Sequence, residues 1–192
     1  MSDAAAGDGA NADRPLAWVC QHLPLVPPGG RVLDVACGGG RHLRAALAAG
    51  HPVTGVDRDL AGTHDLESRT GVRLVAADLE NGDAPPFAGD RFAGVIVSNY
   101  LWRPLLAAIV AAVADDGVLI YETFAVGNAR FGRPSRDEFL LRPGELIDAV
   151  AGRLVVLAYR HGEVAAPRRA VRQSIAAVGP RHPVVEWGDH HR

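Results

Sequence analysis

Val32-Leu33-Asp34-Val35-Ala36-Cys37-Gly38-Gly39-Gly40-Arg41-His42 is the stretch on which the reading of this chain turns. Its first half, 31–36, is a short apolar run of β type. Three glycines follow at once, and 41–49 then has helical character and stops at Gly50. A strand that runs through glycines into a helix lets backbone approach a ligand closely. The helix start offers free N–H groups to an anion. A glycine triplet alone also fits a plain tight turn, so the surroundings decide.

Working outward, the pattern repeats. Residues 52–56 form a second apolar run, ending at Asp57, 17 residues past Gly40. Residues 59–69 suit a short helix. A third run, 72–77, ends at Asp78, and a fourth lies in 91–98. Residues 104–114 are an Ala-rich helix with Pro in its first turn, followed by an Asp116-Gly117 turn and a fifth run, 118–123. After an irregular segment, 124–142, a helix is expected over 143–151. The last two runs, 153–160 and 170–178, have no helix between them and should pair antiparallel. Upstream, 16–22 is an apolar segment of one or two turns, where Trp18 packs, and Pro24, Pro27 and Pro28 break the chain after it.

Continuous apolar strands alternating with helices imply an α/β fold: a doubly wound, mostly parallel sheet covered on both faces. Such a sheet binds its ligand beyond the carboxyl ends of its strands, where the strand order reverses. Three acids fall at successive strand ends: Asp34, Asp57 and Asp78. Asp57 is placed to accept from ribose hydroxyls, and Asp78 from an exocyclic adenine amine. A solvated Asp capping the next segment explains any one of them. The glycine loop, Asp57 and Asp78 at three successive strand ends together point to a nucleoside. A dinucleotide site would want glycine at a third position of the loop, where Leu43 stands.

At this point the sequence resembles the class I S-adenosylmethionine-dependent methyltransferases. Asp34-x-Ala36-x-Gly38-x-Gly40 matches their first motif, with Ala36 replacing the first glycine. The downstream segments, Ser98-Asn99-Tyr100-Leu101-Trp102-Arg103-Pro104-Leu105, Tyr121-Glu122-Thr123-Phe124 and Phe131-Gly132-Arg133-Pro134, are similar to the small single-domain bacterial branch related to the tellurite-resistance type. The resemblance implies seven strands in the order 3-2-1-4-5-7-6, the seventh antiparallel. It implies S-adenosylmethionine as methyl donor and S-adenosylhomocysteine as product. Asp34, Ala36, Cys37, Gly38, Gly40 and His42 would lie along the methionine part. Asp57 and Arg58 would flank the ribose and Asp78 with Leu79 the adenine, while Ser98 and Asn99 close the site.

A sulfonium methyl is already activated, so in-line transfer needs alignment and exclusion of water more than an obligatory base. Asn99, Tyr100 and Glu122 are the catalytic candidates: Asn99 to orient an acceptor, Tyr100 to stack, Glu122 to accept a proton. Packing and loop satisfaction explain them about as well. The segment 124–142 reads as a substrate lid, with Arg103, Arg130 and Arg133 as candidate contacts to an anionic acceptor; a solvated surface is the competing reading.

Composition narrows the alternatives. All 20 cationic residues are Arg and none is Lys. That excludes Schiff-base chemistry and nucleotidases that place Lys on phosphate. The charge of −2 gives no reason to expect nucleic acid. Cys20 and Cys37 suit a reducing cytoplasm. No membrane span or secretory signal is expected. Residues 1–13 read as a disordered tail before a domain over 14–192. No metal is assigned: His182, His190 and His191 show no converging pattern. A nicotinamide-dependent oxidoreductase and a non-catalytic donor-binding module stay open beside a methyltransferase acting on a small molecule.

Overall fold

In the computed structural model, which describes residues 14–166 and 168–185, one seven-stranded sheet organises the chain. The strands are β1 (Val32–Val35), β2 (Val53–Asp57), β3 (Val72–Ala76), β4 (Phe92–Ser98), β5 (Val113–Phe124), β6 (Val155–Val164) and β7 (Ala170–Val178). Their order is β3-β2-β1-β4-β5-β7-β6, and β7 runs antiparallel to both neighbours. The order expected from the sequence is therefore the order found. It reverses between β1 and β4, which leaves a crevice at the carboxyl ends of those two strands.

Alternating side chains explain why both faces are covered. Leu33, Val35, Val95, Val97, Leu119, Tyr121, Ile175 and Ala177 join one buried cluster. Their neighbours Val32, Ile96, Val118, Ile120, Ala176 and Val178 join another on the opposite face. Helices α1 (Ala17–His22) and α2 (Arg41–Ala48) pack on the second cluster through Val19, Leu43 and Ala46. Helices α3 (Leu106–Ala111) and α4 (Glu145–Val150) cover the first through Ile109, Val110, Leu146 and Val150. Trp18 also ties α1 to the sheet, donating from Nε1 to Ile175 O at 3.2 Å.

The structure corrects several element bounds. The helix expected over 59–69 is a 3-10 helix over Ala61–Leu66. Here Gly62 and the Thr63-His64-Asp65 run weaken α-helical preference, and the Thr63 hydroxyl donates to Leu60 O. The helix expected over 104–114 begins as a 3-10 turn, Arg103–Leu105, and ends at Ala111. Strand β5 is twice the length read from sequence. It starts at Val113, because Phe92 pairs with Val113 before the register shifts to Gly94 and Val118. The Asp116-Gly117 turn thus lies inside an irregular strand. The 124–142 segment is irregular as expected, with 3-10 turns at Asn128–Phe131 and Asp137–Phe139. It returns to the sheet where Leu141 N donates to Phe124 O at 2.9 Å. The tail expected over 1–13 lies outside the described residues.

Candidate functional site

Three sequence features meet at the crevice. The loop after β1 turns through left-handed backbone at Ala36 (φ 55°), Gly38 (φ 51°) and Gly40 (φ 77°). Glycine adopts that region freely, while Ala36 holds it at a cost of about 1 kcal/mol. Gly38 and Gly39 leave open space where a Cβ would stand. Behind the loop, Gly62 comes so close that a Cβ there would lie 2.8 Å from Gly39 Cα. Arg44 braces the same contact, donating to Gly62 O at 2.9 Å and to Gly39 O, with Asp65 as its ion-pair partner.

Asp57, at the end of β2, faces this loop. Its Oδ2 accepts from Gly38 N at 2.7 Å, and its Oδ1 accepts from Asp59 N at 3.0 Å. Arg58 beside it is exposed. Asp78 is exposed beyond β3, its Oδ1 accepting from Glu80 N at 2.9 Å, and Leu79 packs half-buried against the first buried cluster. Asp34 is different: it is wholly buried and neither carboxylate oxygen has a hydrogen-bond partner. Burial raises its pKa to about 8, against the pull of Arg41.

His42 sits beside it in α2, also buried. Its Nε2 accepts from Leu16 N at 3.2 Å, which leaves the proton on Nδ1. That nitrogen faces Ser98 Oγ at 3.3 Å and Asp34 Oδ2 at 3.9 Å. Burial and the neighbouring Arg41 lower the His42 pKa to about 3, so the ring is neutral. Cys37 is buried too, and burial with Asp34 and Asp57 nearby pushes its thiol up, away from thiolate.

Across the switch point, Asn99 adopts φ 54°, a left-handed conformation that Asn tolerates. Its backbone N–H donates to Glu122 O at 3.0 Å. Tyr100 is half-buried with its hydroxyl buried and unpartnered. Burial first, then Glu80 and Asp78, push its phenol up. Tyr100 therefore stands on the side of the strand-end carboxylates, and Asn99 on the other. Glu122 is buried, its Oε2 accepting from Ser174 Oγ at 2.7 Å and Arg160 Nη2 at 2.8 Å. Arg172, 3 % exposed, donates from Nη1 to Asn99 Oδ1 at 2.7 Å and stands 3.6 Å from Glu122 Oε1.

The arginines proposed for the lid have other neighbours. Arg103 donates to the Glu145 carboxylate at 2.6 and 3.0 Å, and to Glu138 O and Leu140 O. Arg130 pairs with Glu163 beside the Phe131 ring. Arg133 is exposed. Sequence reasoning missed Arg41, Arg160, Arg172 and Ser174 as neighbours of the crevice. The one available signal was the polar run Arg172-Gln173-Ser174 inside an otherwise apolar strand.

Residues 32–117 match the family model described as a methyltransferase domain. The chain also has the fold of solved S-adenosylmethionine-dependent methyltransferases, at identities that speak for fold alone. One is 1,6-didemethyltoxoflavin-N1-methyltransferase from Burkholderia thailandensis, solved with 1,6-didemethyltoxoflavin and S-adenosylhomocysteine bound: 23% identity, TM-score 0.64, covering 87% of this chain and 78% of that one. Another is TehB from Haemophilus influenzae: 17% identity, TM-score 0.66, covering 86% and 62%. A third is a TehB-like methyltransferase from Corynebacterium glutamicum: 19% identity, TM-score 0.62, covering 88% and 91%. No curated protein matches the sequence. Among the described residues, no helix is long and apolar enough to cross a membrane, and no group of three His, Cys, Asp or Glu could hold a metal.

Proposed function

We propose that this chain is an S-adenosylmethionine-dependent methyltransferase, that it binds the donor along the Ala36–Gly40 loop, and that it moves the methyl group to a small-molecule acceptor in the cytoplasm. The observation that carries the reading is the left-handed glycine loop at the β1/β4 switch point with Asp34 and Asp57 beside it. The residues fit the donor. Asp34 is a buried carboxyl group without a hydrogen-bond partner, and a cationic donor beside it would favour its ionised form. The loop has open space at Gly38 and Gly39. Asp57 keeps lone pairs for ribose hydroxyls while one of its oxygens holds the Gly38 N–H. Asp78 and Leu79 lie one strand further out, where they would flank the adenine.

Bound there, the donor supplies an electrophilic methyl on a sulfonium. The chain supplies alignment: Asp57 and Gly38 fix the loop, while Ser98 and His42 hold the floor beneath it. His42 stays neutral at pH 7 and adds no second cation beside the donor. Asn99 and Tyr100 flank the acceptor's approach. Glu122, already accepting from Arg160 and Ser174, acts on orientation more than as a proton acceptor. The segment 124–142 closes over this side and keeps water from the transfer.

Calorimetric titration with S-adenosylmethionine, S-adenosylhomocysteine and NAD tests the donor. Both sulfur nucleosides should bind the wild-type chain, and Asp57→Ala should weaken them by about tenfold or more, as expected for lost hydrogen bonds to a charged group. Unchanged affinity in the variant removes Asp57 from the site. Binding of NAD with no heat from either sulfur nucleoside overturns the methyl-transfer reading in favour of a nicotinamide enzyme.

A further inference from the structure

A second group of charges lies next to the glycine loop, past the carboxyl ends of β4 and β5. At its centre is Arg172, contributed by β7. Its guanidinium stacks on the Phe124 ring, 4.3 Å from the centroid, and one corner is held by Asn99 Oδ1 at 2.7 Å. Its Nε is buried and has no hydrogen-bond partner. A buried N–H left unpaired carries a penalty of about 1–3 kcal/mol, which an incoming acceptor atom would relieve. The Glu122 carboxylate stands 3.6 Å from Arg172 Nη1, beyond hydrogen-bond reach, and already accepts from Arg160 and Ser174.

The local charge is strongly positive. Arg41, Arg160 and Arg168 all lie close enough to act on Arg172, and among the described residues the Glu122 carboxylate stabilises its charge. Arg103 and Arg130, two of the arginines proposed for the lid, are by contrast paired with Glu145 and Glu163. Arg41, Arg160 and Arg172 all act on the Glu122 carboxylate at this side of the crevice. Arg41 opens α2 directly after the glycine loop and feels both Asp34 and Glu122, so it links this group to the donor side.

Resting on the methyl-transfer reading above, we propose that Arg172, flanked by Arg41 and Arg160, binds the carboxylate or equivalent oxyanion of an anionic methyl acceptor. A rigid guanidinium with a free Nε–H is built to receive a planar oxyanion through two N–H groups. Asn99 holds the opposite corner, so the oxyanion sits beside the end of β4. The rest of the acceptor then extends toward Tyr100 and the donor loop.

Benzoate serves as the probe and benzamide as its neutral counterpart, both titrated into the full chain saturated with S-adenosylhomocysteine. Arginine Nε–H resonances in ¹⁵N spectra report the contact. Benzoate should saturate and shift the Arg172 signal, and benzamide should not. Affinity for benzoate should fall by about tenfold or more in Arg172→Lys, which keeps the charge and loses the fork, and in Arg172→Gln. Arg160→Gln, at a more exposed position, should weaken it in the same direction and serves if the Arg172 variants do not fold. Affinity for S-adenosylhomocysteine should stay the same in all three. No saturable benzoate binding, equal binding of benzamide, or unchanged benzoate affinity in the variants overturns the proposal. A wild-type chain that does not bind S-adenosylhomocysteine overturns the donor reading instead, and benzoate titrated into the unliganded chain then decides the anion site.

Discussion

Asp34 and His42 are neighbours that burial drives in opposite directions, and their pH dependence separates them. Asp34 has its pKa raised from 3.8 to about 8, so the folded chain keeps a proton that the unfolded chain releases above 3.8. Its contribution to stability is full below 3.8 and is lost as pH rises toward 8. His42 has its pKa lowered from 6.5 to about 3, so the unfolded chain takes up a proton that the folded one refuses. Its contribution is full above 6.5 and is lost as pH falls toward 3. Between 3.8 and 6.5 the two slopes oppose each other, and from 6.5 to 8 Asp34 acts alone. Over that upper window, wild-type stability should fall by about 1 kcal/mol per pH unit relative to Asp34→Asn. Urea unfolding of both proteins across pH 4 to 8 checks this. Parallel curves for the two would show that Asp34 is ionised in the folded chain.

At the scale of elements, the glycine loop is held from behind by the 3-10 helix Ala61–Leu66. A Cβ at residue 62 would meet the backbone of Gly39 at 2.8 Å, so the loop itself has to move. Gly62→Ala should cost about 1–3 kcal/mol of stability and weaken S-adenosylhomocysteine binding along with it. Calorimetry and urea unfolding on the same sample measure both, and an unchanged donor affinity would mean that this element does not shape the donor loop. The segment 124–142 is fastened by Arg103, which joins Glu145 of α4 to the carbonyls of Glu138 and Leu140. Arg103→Ala should destabilise the chain by about 1–2 kcal/mol and speed proteolytic cleavage within 132–138. Cleavage at the wild-type rate would show that the clasp does not hold the segment.

For the whole molecule, the positions of most strands and the glycine turn after β1 were legible because their signals are local, and the strand order followed from the family resemblance. An apolar run marks each of β1, β2 and β3, with Asp34 inside the first and Asp57 and Asp78 closing the other two, and glycines mark the turn. The extent of β5 was not legible, because Asp115-Asp116-Gly117 reads as a turn and only pairing of Val113 with Phe92 makes it strand. The acceptor side was the least legible part. Asn99 and Arg172 meet across 73 residues, and Glu122 meets Ser174 across 52. In a chain whose cations are all Arg, counting arginines on the lid could not separate Arg103, held by Glu145, from Arg172, buried beside the crevice with an unpaired Nε. Spatial charge balance made that distinction.

The central claim is that one crevice, between β1 and β4, holds the methyl donor. A crystal structure of the chain with S-adenosylhomocysteine tests it most directly. The account predicts the ribose hydroxyls within about 2.5–3.0 Å of the Asp57 carboxylate, the amino-acid part along Asp34 to Gly40, and the adenine beside Asp78 and Leu79. A nucleoside bound elsewhere, with Asp57 holding only the Gly38 and Asp59 N–H groups, would contradict it.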